Sequence, residues 1–117
     1  MSIDVLIANL LIGPLMLVIS IIYYFFPPKK INPYYGHRTI RSMKNDDTWR
    51  EANYRSAKIF IWISFLTIIT QAIGLIMNFN GILISSIVLI LGILLGVLLV
   101  ENKLKTIFDD DGKRIHL

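Results

Sequence analysis

The sequence predicts an all-α membrane protein. It has three transmembrane helices, the N-terminus out and the C-terminus in, and a helical cytoplasmic segment between the first two spans. Three observations carry this. The chain of 117 residues is 55% hydrophobic and only 17% charged, whereas soluble domains carry roughly a quarter charged residues. Its mean hydropathy is +0.63. Its apolar residues are gathered into three long runs, with nearly all the charge between or after them.

Each element follows from its own stretch. Residues 5–26 are apolar apart from Asn9, Ser20 and the Gly13-Pro14 pair. At 1.5 Å per residue the run reaches about 33 Å, enough for a hydrocarbon core of roughly 30 Å. A signal peptide would need a basic start, and here Asp4 stands in its place. Pro14 has no N–H to donate and should kink the helix. Tyr23, Tyr24, Phe25 and Phe26 suit the membrane interface, and Pro27-Pro28 ends the helix. Residues 59–77 and 82–100 are the second and third spans. The short uncharged turn Asn78-Phe79-Asn80-Gly81 joins them as an antiparallel hairpin.

Lysine and arginine set the orientation. Eight of the twelve lie in residues 27–58 and four in the tail, residues 101–117. Three spans place both regions on one side, which the positive-inside rule makes cytoplasmic. With no cysteine in the chain, disulfides and thiolate metal sites are excluded. The net charge of +4 fits cytoplasmic loops and gives no reason to expect nucleic-acid binding.

The polar segment carries the candidate site. Asn32-Pro33 and Gly36 mark turns. A short interfacial helix is expected over residues 39–45. Thr48-Trp49-Arg50-Glu51 fits a capping box, supported by Asp46 and Asp47. It predicts one helix of roughly thirty residues, about 45 Å, running from Thr48 through the second span. Trp49, Ala52, Asn53 and Ser56 share one face of it. Tyr34, Tyr35, Trp49, Asn45, Asn53, Thr39 and Ser42 exceed what topology alone requires. Aromatics mixed with amides and guanidinium groups suit a recognition surface.

No strong catalytic or metal motif is present, and no cofactor is expected. Ser42 and Lys44 are two residues apart and do not face each other on a helix. His37 and His116 are distant and lack a third ligand. Asp109-Asp110-Asp111-Gly112 has contiguous acids, which suit a solvated turn better than a calcium loop. In the third span, Gly81, Ser85, Gly92 and Gly96 fall within a stripe about 60° wide. Gly92 and Gly96 offer a homodimer face, but packing inside the same chain is the simpler use. Asn9, Gln71 and Thr67 are read as glue between helices, with a polar cavity as the alternative.

Tyr35-Gly36-His37-Arg38-Thr39, Arg41-Ser42-Met43-Lys44-Asn45, Thr48-Trp49 and Ala52-Asn53 together resemble the signature of the SdpI/YfhL family. That pattern runs approximately Gly-Tyr-Arg-Thr, Ser-x-Lys-Asn, Trp, x-x-Asn and Gly-Lys. Three positions depart from it. His37 stands where an aromatic or aliphatic residue is common, Ile40 where proline often follows the threonine, and Ala57 where glycine usually precedes the lysine.

The resemblance implies a single-domain, multi-pass protein of the bacterial inner membrane that protects its producer against a secreted membrane-active peptide toxin. Tyr35, Gly36, Arg38, Thr39, Ser42, Lys44, Asn45, Trp49 and Asn53 are the expected binding residues. They would form a polar cluster at the cytoplasmic helix ends, with Arg38 clamping a carbonyl or carboxylate and Trp49 closing the cluster against lipid. The alternative is an adaptor that docks a cytoplasmic regulator or an anionic lipid through Arg41, Arg50 and Arg55. An intramembrane enzyme is the third and weakest reading.

Overall fold

The computed structural model describes residues 2–115. It contains α1 (Ile3–Ile12), α2 (Pro14–Phe25), α3 (Asp46–Met77) and α4 (Gly81–Ile107). Helices α1 and α2 together make the first membrane-length element, α3 the second and α4 the third. The described residues form no strand beyond one isolated bridge between Phe108 and Arg114. The molecule is 53 Å long. A hydrocarbon core of roughly 30 Å therefore leaves a substantial part of it outside the apolar zone.

The first span is broken where the sequence lacks a donor. Ser2 caps α1 by accepting from the Val5 N–H at 3.3 Å. At the break, Gly13 reaches the Asn9 carbonyl over a stretched 3.4 Å. That carbonyl also accepts a side-chain bond from Gln71 of α3 at 2.9 Å. The Gln71 amide fills the space beside Gly13, where a Cβ would lie only 2.2 Å from its Oε1. Gln71 thus ties α3 to the break that Pro14 creates, while the Asn9 amide turns back to the Val5 carbonyl.

The interior of the spans is small and polar, and the outside is large and apolar. Ser20, Ser64, Thr67, Gln71 and Ser85 are buried, whereas Leu66, Ile69, Ile90, Leu94 and Leu98 are exposed. Lipid is as apolar as leucine, so burying leucine gives helices no reason to associate, and close backbone approach does. The hydroxyls of Ser64 and Thr67 donate to carbonyls four residues back in their own helix, which leaves them satisfied without water. The small-residue stripe of α4 faces α3 of the same chain. Gly92 lies against Ile63, and Gly96 against Ile59 and Ile63.

The hairpin turn is built by two asparagines. Asn78 ends α3 in the left-handed region at φ 61°, and Asn80 caps α4 by accepting from the Leu83 N–H at 3.1 Å. Beside the turn, Gly74 and Gly81 bring the two backbones together.

Two expectations are corrected at the polar end. Helix α3 starts at Asp46, and its N-cap is Asn45, not Thr48. The Asn45 side chain accepts from the Thr48 N–H at 2.9 Å, and the Thr48 hydroxyl accepts from the Asn45 N–H at 3.1 Å. Glu51 is left to pair with Arg55 and Arg114. Residues 39–45 make a single turn, closed by Met43 N–H on the Thr39 carbonyl at 3.0 Å, and not a helix. The third helix carries its span and continues beyond the apolar run to Ile107. Beyond it the chain folds back on the Asp109–Gly112 turn, in which the Asp109 carboxylate accepts from the Asp111 and Lys113 N–H groups.

The hairpin contact yields a test. A Cβ on Gly74 would lie 2.7 Å from the Gly81 Cα, whereas a Cβ on Gly81 would lie 3.5 Å from the Gly74 Cα. Backbone cannot yield as a side chain does, so Gly74→Ala should destabilise the protein by about 1–3 kcal/mol. Gly81→Ala should be neutral within about 0.5 kcal/mol or slightly stabilising. Unfolding followed by circular dichroism in detergent distinguishes the two, and equal effects would refute the close approach.

Candidate functional site

The segment between α2 and α3 is irregular, so its backbone groups need partners other than a helix ladder. Side chains of α3 supply them. Asn53, fully buried, accepts through Oδ1 from the His37 N–H at 2.7 Å and from the Tyr23 hydroxyl. Its Nδ2 donates to the Trp49 carbonyl at 2.9 Å. The Trp49 indole N–H donates to the Pro28 carbonyl at 2.7 Å, so the turn after α2 is tied to α3. Trp49 has no exposed surface and sits inside the protein, rather than closing the cluster against lipid.

Gly36 is required where it stands. Its φ of +111° is a left-handed conformation, and a Cβ there would lie 2.5 Å from the Asn53 Oδ1. Tyr35 beside it donates its hydroxyl to the Phe26 carbonyl at 3.1 Å and stacks obliquely on Tyr23 at 5.5 Å. Partial burial pushes the Tyr35 phenol above its ordinary pKa.

Ser42 closes the next turn. Its hydroxyl donates to the His37 carbonyl at 2.7 Å and accepts from the Thr39 N–H at 2.9 Å. The side chain is fully buried, and these bonds make it the lock of the turn. Thr48 then bonds the Ser42 carbonyl at 3.0 Å. Asn45, having capped α3, donates to the Gly112 carbonyl at 2.7 Å and so holds the tail. Arg114 completes that clasp with two bonds of 2.8 Å to Asp47. Its hydrogen bonds to Asp47, then to Glu51, hold the guanidinium above its ordinary pKa.

Glu101 is the acidic centre of the cluster. Its Oε1 faces the His37 Nε2 at 2.9 Å and accepts from the Thr39 hydroxyl at 2.5 Å. Its other oxygen lies 3.9 Å from the Arg41 Nε, and Arg41 in turn lies 3.7 Å from Asp110. A carboxylate accepts only, so the His37 Nε2 donates in this contact. His37 is thereby engaged with Glu101, while His116 lies outside the described residues.

The nine expected binding residues therefore divide. Gly36, Thr39, Ser42, Asn45, Trp49 and Asn53 are built into the hydrogen-bonded knot or packed against it, with Tyr35 at its edge. Arg38 and Lys44 point outward, and neither forms an ion pair among the described residues. Arg38 borders a cleft of 380 Å³ whose floor includes Ile19, Phe60 and Val97 and whose polar wall includes Tyr23, Tyr35 and Ser56. Lys44 borders a wider hollow of 700 Å³ with Ile40, Arg41, Leu98, Glu101 and Lys105.

Residues 29–101 match the family model described as the SdpI/YfhL protein family. The chain belongs to the SdpI/YfhL family. It is also similar to the uncharacterized protein YfhL of Bacillus subtilis (strain 168). That relative is 38% identical over 100 residues, covering 86% of this chain and 88% of the relative. No solved structure matches the chain. The family match extends from Lys29 to Glu101, and so takes in both the motif and the carboxylate it closes on. With three helices long and apolar enough to cross a membrane, the protein is a multi-pass member of this family.

Sequence reasoning missed Glu101, His37 and Tyr23 as parts of the cluster. For Glu101 a signal existed: it is the acid that directly follows the most apolar run, on the same side as the motif. Nothing in the spacing points to Tyr23, because its role depends on how α2 packs against α3.

The division predicts opposite results for two substitutions. Asn53→Ala leaves the His37 N–H and the Tyr23 O–H without an acceptor. At about 1–3 kcal/mol for each buried unsatisfied group, stability should fall by about 2–6 kcal/mol. Arg38→Ala should change it by less than about 0.5 kcal/mol. Denaturant unfolding of both variants in the same detergent reads the difference, and comparable losses would mean that Arg38 belongs to the knot.

Proposed function

We propose that the protein is an immunity-type protein of the bacterial inner membrane, protecting the cell against a secreted membrane-active peptide toxin. The motif then lies at the cytoplasmic membrane face. Membership of the SdpI/YfhL family supports this class of function. The observation that carries the site is the Arg38 cleft, where apolar side chains of three helices meet the outer wall of the motif.

The cleft is amphipathic in the way an inserted peptide requires. Ile19, Phe60 and Val97 give an apolar floor continuous with the lipid-facing surface of the spans. Arg38 stands at its polar rim with its guanidinium free for a carbonyl or a terminal carboxylate. A toxin that has entered the bilayer reaches such a cleft sideways, within the membrane. A motif facing the cytoplasm can thus act on a toxin that arrives from outside. The knot's part is indirect. By fixing residues 35–45 on α3 it holds Arg38 in place, and preorganisation of this kind lowers the entropy lost on binding.

The test is survival. The full chain is expressed in a sensitive bacterium, which is challenged with the secreted peptide, with membrane levels of each variant matched. Wild type should protect. A hydrogen bond to a charged group contributes about 1.5–3 kcal/mol, so Arg38→Ala should lower the tolerated toxin concentration at least about tenfold. Failure of wild type at verified expression would overturn the immunity reading for that toxin. Protection undiminished in Arg38→Ala would remove the cleft from it.

A further inference from the structure

A second groove lies between α3 and α4 where both helices leave the apolar zone. It encloses 360 Å³. Arg55, Lys58 and Lys103 line its polar part, and Ile59, Trp62 and Leu99 its apolar part. Three cations converge on it, and no acid lines it. In this it differs from the larger hollow beside Lys44, where Glu101 and Asp110 offset the positive charges.

The charges are only partly spent inside the protein. Arg55 pairs with Glu51 at 3.1 Å. Lys58 rests over the Tyr54 ring, 4.7 Å from its centre. Lys103 is exposed and forms no ion pair among the described residues. Trp62 follows Lys58 by one helical turn, so the two share a face. It is 70% exposed, although tryptophan is a large side chain that water disfavours and the membrane interface favours.

We propose that this groove binds the headgroup of an anionic glycerophospholipid. The phosphate sits between Lys58 and Lys103, with Arg55 at its edge. The Trp62 indole lies at the depth of the glycerol esters, to which its N–H donates. One acyl chain runs down the apolar surface beyond Trp62 and Leu99, over exposed Leu66 and Leu95. From the polar end inward, Arg55 and Lys58 come first, Trp62 one turn deeper and exposed Leu66 a turn beyond that, which matches the order of phosphate, ester and acyl chain in a lipid. A soluble phosphate would use only the first of these, so the committed ligand is the lipid. The site is separate from the Arg38 cleft and stands whether or not the immunity reading holds.

The experiment uses the full chain in nanodiscs of mixed phosphatidylglycerol and phosphatidylcholine, one of the two carrying brominated acyl chains. Bromine quenches nearby indoles. Trp49 is fully buried, so the lipid-dependent signal reports Trp62, and Trp62→Phe gives the background. Each lysine near the surface strengthens anionic-lipid association about fivefold, so with Lys58 and Lys103 together phosphatidylglycerol should be preferred at Trp62 roughly 25-fold. Lys58→Gln with Lys103→Gln should remove most of that preference. Lys29→Gln with Lys44→Gln removes the same charge elsewhere at this end and should leave it intact.

Absence of a preference in wild type would overturn the site. So would equal losses in the two double variants, which would assign the preference to the overall surface charge. Abolition of the preference by millimolar inorganic phosphate at constant ionic strength would overturn the commitment to a lipid.

Discussion

A chain leaving a membrane helix must not present bare backbone to hydrocarbon, and here the Asn53 carboxamide is the fixed point around which that demand is met. Asn53 takes the backbone N–H of His37 and the hydroxyl of Tyr23, and gives its own N–H to Trp49. The end of α2 and the loop at His37 are thereby fixed to one side chain of α3. The rest of the polar end is arranged around that point. Gly36 lacks a side chain because Asn53 occupies its place. Ser42 and Thr48 then lock the turn that carries the chain into the N-cap of α3. Among the described residues no buried side-chain nitrogen or oxygen lacks a partner.

The knot also explains why a loop of mixed charge can be rigid. Most of its bonds join a side chain to a backbone group, so each fixes the path of the chain rather than only the position of a neighbour. Arginine and lysine contribute little to it. They stand on its outside, where Arg38 and Lys44 border open clefts. Family membership and a fully paired motif are therefore compatible with a binding role that falls on few residues. In the proposed reading those residues are presented by the motif rather than making it up.

Hydropathy made the three spans legible, because lipid imposes a length and a composition that few other environments impose. The Gly13-Pro14 break was legible too, since a missing N–H follows from the covalent structure of proline. Helix ends were less legible. Thr48 and Glu51 satisfy a capping box, but so do Asn45 and Thr48, and the choice between them rests on the tail. Asn45 bonds Gly112 while Arg114 draws Glu51 away, and both partners lie more than sixty residues downstream. The end of the third helix was not legible in hydropathy either. Residues 101–106 are mostly polar, but Glu101, Lys103, Leu104 and Lys105 favour helix and Leu104 is buried, so hydropathy stops at Val100 while the helix goes on. The candidate motif was recognisable as a set of residue types. Its division into buried locks and outward-facing cations was not, because burial depends on the packing of α2 and α4 around it.

The broken first span gives the molecule two ends of unequal stiffness. At the motif end, helices, loop and tail are cross-linked by side chains. At the other end α1 has no buried residue, and Gln71 is its principal polar tether. Local opening free energy follows the number of buried contacts that must be lost. Helix α1 is therefore the part that should loosen first, pivoting about Gly13 while the motif stays closed. A bilayer that thins, or an inserted peptide that presses on its neighbours, would be accommodated by a change of tilt in that half-helix. The strain would be absorbed there before it reached the cluster around Asn53.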